Sequence, residues 1–182
     1  MKWSLNELRQ TADEPLMFEE TLDLKESLKQ RRPDILDVSD VLVKGIFSVD
    51  ELGVLGYAKV KVKIVLPSSR SLEPAELDLN FDFTEHYVSY HERDLSRFED
   101  TDVVIVLEND ILDLNSVIED NILLQIPMQV LTDAEQQDEA TMPEGGDWNV
   151  VSEGQLKKMQ KDENGIDPRL AKLQDFFKNS QD

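Results

Sequence analysis

The sequence predicts an α+β fold with an antiparallel sheet, one long β-hairpin, a core helix and a C-terminal helix. Strict alternation of apolar and polar residues over 57–66 and 75–83 indicates two paired strands, each with one buried face. Helical spacing of apolar residues indicates one helix before Pro127 and another after Asp167. The alternation leaves open whether the sheet closes into a barrel. A chain of 182 residues suits one domain with a tail.

Composition narrows the classes of function. The net charge is −20, so the surface repels phosphate backbones; such a charge either serves solubility alone or favours a basic partner. The chain has no cysteine, which excludes disulfides, thiolate nucleophiles and cysteine-bound metals. No apolar signal segment opens the sequence, and no stretch approaches 18 consecutive apolar residues. We therefore expect a soluble, cytoplasmic protein that contacts neither membrane nor DNA.

The first fifty residues are expected to form three strands and a helix. A short strand is predicted around Trp3 and Leu5, and a second one over 15–24. A polar helix follows and ends before Pro33, because proline cannot continue a helix. Residues 38–49 are rich in β-branched and aromatic side chains and are predicted as a strand, with a bulge at Gly45.

The two alternating segments are predicted to pair as a hairpin. Folding them about its tip places Lys63 opposite Asp78 and Lys59 opposite Asp82 on the solvent face. Opposite charges directly across two strands are favourable, and this register also brings both apolar rows to one face. Ser68 to Ser71 then lie at the tip, where serine is an ordinary turn residue.

A strand and a helix follow the hairpin. Residues 102–107 form a continuous apolar run, typical of a strand covered on both faces. The helix before Pro127 has a capping box from Ser116 to Glu119, although Asp113 offers a start one turn earlier. Its apolar residues share one stripe, so we expect it to pack on the core.

The last third of the chain changes character. We predict a core domain over 1–131, an acidic flexible linker over 132–165 and an amphipathic helix over 166–182. Asp167 is the predicted N-cap of this helix, and Pro168 occupies its first turn. A helix of about three turns is unstable alone in water, so it must dock on its own domain or on a partner.

No pattern of catalytic residues emerges. The sequence lacks a phosphate-binding glycine loop and a nucleophile elbow. His86 and His91 fall on opposite faces of a strand, which favours solvated histidines at a strand end over metal ligands. Arg31 and Arg32 are basic neighbours without interleaved aromatics, so an ordinary solvated cluster is the favoured interpretation. We predict no enzyme, no metal ligand and no cofactor.

Several separated segments resemble one known family. These are the stretch "LPSSRSLEPAEL", the run ending at Ile126-Pro127-Met128, and the terminal "IDPRLAKLQDFF". Their order over nearly the whole chain is similar to that of the YceD-like bacterial and chloroplast proteins, which are linked to accumulation of the large-subunit ribosomal RNA. The terminal segment is the most specific of the three.

The resemblance implies that this hairpin tip is a metal-free version of a turn that a metal ion holds together in other members of the family. Many members of that family carry Cys-x-x-Cys at the hairpin tip and a second cysteine pair before the terminal helix, an arrangement that suggests zinc. Here Ser68 and Ser71 stand at the first pair's positions. Arg70 at this tip and the terminal Asp167-Pro168-Arg169 are the candidate interaction residues.

The resemblance also implies a function in synthesis, processing or stability of 23S ribosomal RNA, and hence in large-subunit assembly. Given the charge, we favour action through basic large-subunit ribosomal proteins or rRNA-processing factors. One alternative is a direct RNA-binding module that uses a patch at Arg31, Arg32 and Arg70. A second is a nuclease, which would need clustered metal-binding carboxylates that the sequence does not identify.

Overall fold

The computed structural model describes residues 1–10, 14–50, 53–92, 95–137, 144–146, 148–151 and 156. The chain divides into two compact units, Met1–Thr132 and Asp133–Asp182. The strands of the first unit are β1 (Lys2–Ser4), β2 (Leu16–Leu22), β3 (Asp37–Val38), β4 (Val41–Asp50), β5 (Gly53–Pro67), β6 (Pro74–Ser89), β7 (Val104–Leu107) and β8 (Ile111–Asp113). Its helices are α1 (Leu5–Gln10), α2 (Lys25–Arg31) and α3 (Leu114–Gln125).

The main sheet has six strands and is mostly antiparallel. Its order is β2-β4-β5-β6-β7, with β3 paired to β5. Only the pair of β6 and β7 is parallel among the described strands. The terminal strands β2 and β7 do not pair with each other, so the described sheet is open rather than a closed barrel. The α+β prediction is confirmed.

The long hairpin forms in the predicted register. Lys63 pairs with Asp78 and Lys59 with Asp82 across β5 and β6. Lys63 Nζ lies 3.7 Å from Asp78 and 2.7 Å from the diagonal Glu76. Both strands exceed the predicted lengths, since β5 begins at Gly53, where it pairs with β4, and β6 continues to Ser89, where it pairs with β7.

The predicted bulge at Gly45 is wrong. Gly45 lies in an unbroken ladder, opposite Phe18 on one side and Ala58 on the other. A Cβ at this position would lie 2.4 Å from the ring of Phe18 and 2.6 Å from the carbonyl of Tyr57. The glycine therefore makes room for the Phe18 ring, which stacks on Phe47 at a centroid distance of 4.9 Å.

The N-terminal strand is shorter than predicted. β1 ends at Ser4, and Leu5 begins α1, where it is buried. Ser4 and Glu7 form a reciprocal capping box, since each accepts a hydrogen bond from the other's backbone N–H. This box starts the helix one turn after the chain begins, and β1 pairs with β8 instead of the main sheet.

Residues 102–107 are not covered on both faces as predicted. β7 is an edge strand, and Ile105 and Val106 are 37% and 40% exposed. A short apolar run does not reveal whether a strand lies inside a sheet or at its edge.

The core helix starts at the earlier of the two predicted positions. Asp113 is the N-cap of α3 and accepts a hydrogen bond from the Asn115 N–H. The capping box from Ser116 to Glu119 does not form, because the helix begins at Leu114 and Ser116 lies inside it. Glu119 is buried and contacts Arg31 instead. The helix ends at Gln125, two residues before Pro127, as expected.

The core lies between one face of the sheet and the helices. Its largest fully buried side chains are Tyr87, Leu5, Leu28, Ile64, Leu66, Leu112, Leu114, Ile118 and Ile122. Within the described residues, none of the helices has the length and apolar character that a membrane crossing requires.

The described part of the second unit contains a helical turn, α4 (Asp133–Gln136), and a small antiparallel pair of β9 (Glu144–Gly145) and β10 (Trp148–Asn149). The predicted helix over 166–182 lies outside the described residues. The division into core, linker and terminal helix stays a prediction.

Candidate interaction site at the hairpin tip

Ser68 organises the tip of the long hairpin. The residue is fully buried, and its Oγ accepts hydrogen bonds from the backbone N–H groups of Arg70 at 3.0 Å and Ser71 at 3.3 Å. A hydroxyl that binds backbone groups two and three residues ahead is a serine turn. The Ser68 side chain therefore holds the tip in shape through its own hydrogen bonds.

Backbone hydrogen bonds close the same turn. Ser68 N–H donates to Glu73 O at 2.8 Å, and Leu72 N–H donates to Ser68 O at 3.1 Å. Leu72 adopts φ +64°, a left-handed conformation that a leucine rarely takes, and its side chain is 76% exposed. The turn therefore holds a large apolar side chain in solvent at the cost of local strain.

The tip is attached to the segment that follows α3. Ser69 N–H donates to Val130 O at 2.8 Å, and Val130 N–H donates to Ser69 Oγ at 3.0 Å. Sequence reasoning did not find this contact, because the two residues are 61 positions apart and neither belongs to a periodic element. The pair of hydrogen bonds joins a segment that carries the family resemblance to the chain just after the run that ends at Ile126-Pro127-Met128.

Arg70 is only partly accessible at this tip. The residue is half-buried, and its Nη1 atom is buried without a hydrogen-bond partner among the described residues. Ser71 is exposed, and its Oγ accepts a hydrogen bond from the Glu73 N–H. The candidates Asp167, Pro168 and Arg169 lie outside the described residues, so their predicted role stays a prediction.

The described residues contain no group of three or more histidines or carboxylates that could hold a metal ion. His91 is exposed just after β6, as predicted. His86 is not the solvated histidine that was expected: it lies within β6 and packs edge to face on Phe98 at a centroid distance of 5.1 Å. Its Nδ1 atom is buried and has no partner in the described part of the chain.

The basic residues near α2 are not a free solvated cluster. Arg31 contacts Glu119 at 3.3 Å and Asp120, both on α3. The pKa of Arg31 is raised above its ordinary value, mainly by the hydrogen bond to Asp120. The negative charges of Asp120 and Glu119 raise this pKa further. Arg32 forms a local ion pair with Asp34 at 3.0 Å. Arg31 therefore links α2 to α3, and Arg32 forms a local pair in the turn that follows α2.

A buried polar network connects β6 to α3. The Tyr87 hydroxyl donates to Glu85 Oε2 at 2.6 Å, and Asn121 Nδ2 donates to Glu85 Oε1 at 2.8 Å. Asn121 Nδ2 also contacts Val117 O at 3.0 Å. Glu85 is 7% exposed, so both oxygens obtain their partners inside the protein. Sequence reasoning missed this group, because Glu85 occupies an apolar position of the alternating strand.

Comparisons with known proteins identify the family of the chain. Residues 57–177 match the family described as "Large ribosomal RNA subunit accumulation protein YceD". The whole chain is 34% identical over 182 residues to "Uncharacterized protein YlbN" of Bacillus subtilis (strain 168), and the match covers 99% of that protein. No solved structure matches the chain significantly.

The chain belongs to the YceD family. The predicted resemblance to this family is thereby confirmed. The family description places the general role of the protein in the biology of large-subunit ribosomal RNA.

Proposed function

We propose that the protein supports 23S ribosomal RNA accumulation and large-subunit assembly as a non-catalytic cytoplasmic factor. In this proposal it binds basic large-subunit ribosomal proteins or rRNA-processing factors and contributes no cofactor or metal chemistry. The family assignment supplies the link to large-subunit ribosomal RNA. The partner class follows from the charge of −20, because a polyanion attracts basic proteins and repels RNA.

The main observation that favours a protein partner over an RNA partner is that Arg31 and Arg32 already form ion pairs within the protein. The RNA-binding alternative needs Arg31, Arg32 and Arg70 to meet phosphates. Arg31 is already paired with two carboxylates and Arg32 with Asp34, so each would have to give up an ion pair to bind RNA. This pairing supports structural roles for both residues and weakens the RNA-binding alternative.

A pull-down from cell lysate, with and without ribonuclease, tests the proposal. We expect large-subunit proteins or processing factors to remain bound to the tagged full chain after ribonuclease treatment. Loss of all captured proteins after ribonuclease would favour the direct RNA-binding alternative instead.

A double variant, Arg31→Gln with Arg32→Gln, is the matched control. We expect it to lower stability and to leave the set of captured proteins unchanged. If this variant loses 23S ribosomal RNA while it stays folded, the arginine patch contacts RNA and the proposal is wrong.

A further inference from the structure

Among the described residues, most of one edge of the strand β6 has no strand paired to it. On one side, β6 pairs with β5 from Pro74 to Tyr87. On the other side, β7 pairs only with His86–Ser89. No described residue pairs with the other side of β6 over 75–84. In an antiparallel pair, backbone groups point alternately toward the partner and away from it, so every second residue of this segment turns an N–H and a C=O to a side where no described residue pairs with them.

The two faces of this edge differ in chemistry. Four apolar side chains on the core side are only partly buried: Leu77, Leu79, Phe81 and Phe83. The other face carries Glu76, Asp78 and Asp82 in alternation with them. The side chains of Glu76 and Asp78 are 65% and 79% exposed. The edge thus offers an incomplete apolar row beside an acidic row.

The neighbouring strand shows which sequence fits such an edge. β5 places Lys59, Lys61 and Lys63 on the acidic face and apolar residues on the core face. Its pairing with β6 matches Lys63 with Asp78 and Lys59 with Asp82. A second strand of the same pattern on the open side of β6 would face the same acidic row and would extend the apolar face.

We propose that the β6 edge over 75–84 binds an extended basic segment of a partner protein by strand addition, with Lys or Arg alternating with apolar residues in that segment. The inference deepens the proposed function, since it gives the basic partner a docking mode. Main-chain hydrogen bonds supply affinity in such complexes, and the alternating side chains supply specificity.

Charge and backbone chemistry disfavour three other possible occupants of this edge: a second copy of the chain, its own terminal segment and RNA. Two copies of β6 would place acidic rows against each other, and each chain carries −20, so self-association is disfavoured. The chain's own terminal "IDPRLAKLQDFF" has helical spacing and a proline, not the alternation of a strand. Single-stranded RNA has no backbone N–H ladder, and the acidic row repels its phosphates.

Peptide binding to the purified full chain tests the proposal. The probe is a capped, labelled peptide of about ten residues in which Lys and Val alternate. The control peptide has the same composition, with all Val residues before all Lys residues. We expect the alternating peptide to bind at least about tenfold more tightly, since only it fits both rows. Equal binding would mean simple charge attraction and would overturn the proposal.

N-methylation of the peptide tests the backbone ladder. One set of alternate residues faces β6 and the other faces solvent. We expect methylation of one set to abolish binding and methylation of the other set to leave it within about twofold. If both methylated peptides bind equally well, no strand is added.

Matched variants of the protein test the acidic row. Asp78→Asn with Asp82→Asn should weaken binding by up to about thirtyfold, the upper end of what two cross-strand charge pairs contribute. Glu14→Gln with Glu26→Gln removes the same charge from exposed positions outside β6 and should change binding by less than about twofold. An equal effect of both double variants would overturn the proposal.

Amide exchange locates the contact and checks that the edge is open. In the free protein, alternate amides over 75–84 should exchange quickly, and the alternating peptide should slow them. If these amides are already protected in the free chain, or if protection appears elsewhere, the proposal is wrong. If the alternating peptide does not bind but lysate proteins are still captured after ribonuclease treatment, the edge is not the docking site and the proposed function stands. Peptide binding without any such capture would overturn the proposed function alone.

Discussion

Ser69 and Val130 exchange two hydrogen bonds, one from the Ser69 N–H to the Val130 carbonyl and one from the Val130 N–H to the Ser69 hydroxyl. The contact fixes the tip of the β5–β6 hairpin to the chain that leaves α3. A hairpin tip with such an anchor is not a free loop. Because Ser68 holds the same tip from inside, the two neighbouring serines have separate structural roles.

Removal of the Ser68 hydroxyl should weaken this corner. Ser68→Ala leaves the N–H groups of Arg70 and Ser71 without their acceptor at a fully buried site, so we expect a loss of about 1–2 kcal/mol in the free energy of unfolding. Urea denaturation measures it. Ser71→Ala is the control, because that side chain is exposed and accepts one longer hydrogen bond, and it should cost less. Equal losses would contradict the assigned role of Ser68.

The charge pairs across the hairpin should show coupling. Lys63→Asp places a carboxylate opposite Asp78 and beside Glu76, so we expect a small fall in the melting temperature, at most about 2–4 °C because the pair is exposed. Asp78→Lys in the same chain should restore most of the loss. Thermal melts of both single variants and the double variant complete the cycle. The absence of coupling would mean that this cross-strand contact does not operate in solution.

Tyr87 should make the protein sensitive to alkaline pH. Burial, followed by the charge of Glu85 and the hydrogen bond to it, raises the pKa of Tyr87 above its ordinary value of 10.0. Below pH 10 the phenol keeps its proton in both folded and unfolded chains, and its contribution to stability is fully present. Above pH 10 only the unfolded chain ionises, so stability falls, by at most about 1.4 kcal/mol per pH unit.

Urea denaturation at a series of alkaline pH values measures this slope. Tyr87→Phe is the control and should show a shallower decline above pH 10, although it loses the hydrogen bond to Glu85 at every pH. Identical slopes in the two proteins would contradict the assignment.

Metal removal should have no effect. The chain has no cysteine, and the described residues hold no cluster of metal-binding side chains. We expect purified protein to contain no stoichiometric zinc by elemental analysis, and excess chelator to leave the melting temperature unchanged. A fall of several degrees with chelator would direct attention back to His86 and His91.

Replacement of Arg169 by alanine tests the role of the terminal segment. The predicted helix places this cation in its first turn, where the helix dipole disfavours it, so we expect a specific anion to hold it. If that anion is a carboxylate of the same chain, Arg169→Ala lowers thermal stability and leaves binding intact. If it is a ribosomal RNA phosphate, the variant keeps its stability and loses association with the assembling large subunit. A melt and a ribosome-profile gradient separate the two, and no change in either would remove Arg169 from consideration.

The sequence alone determined the elements whose side chains repeat with a clear period. The alternation over 57–66 and 75–83 fixed the hairpin and its register, since a shift by one residue would turn every apolar side chain to solvent. The spacing around Ile118 and Ile122, together with Pro127, fixed α3. The segments resembling the YceD family were likewise visible in the sequence.

Tertiary structure decided everything that depends on residues distant in the chain. Glu85 looks misplaced in an apolar row until Tyr87 and Asn121 supply its hydrogen bonds from two elements. Arg31 reads as a solvated cation until α3 brings Glu119 beside it. The physical reason is that periodicity reports which face of an element is buried, whereas the partner of a buried polar group is set by packing between elements. For the same reason, only the folded sheet reveals that no described strand pairs with the β6 edge over 75–84.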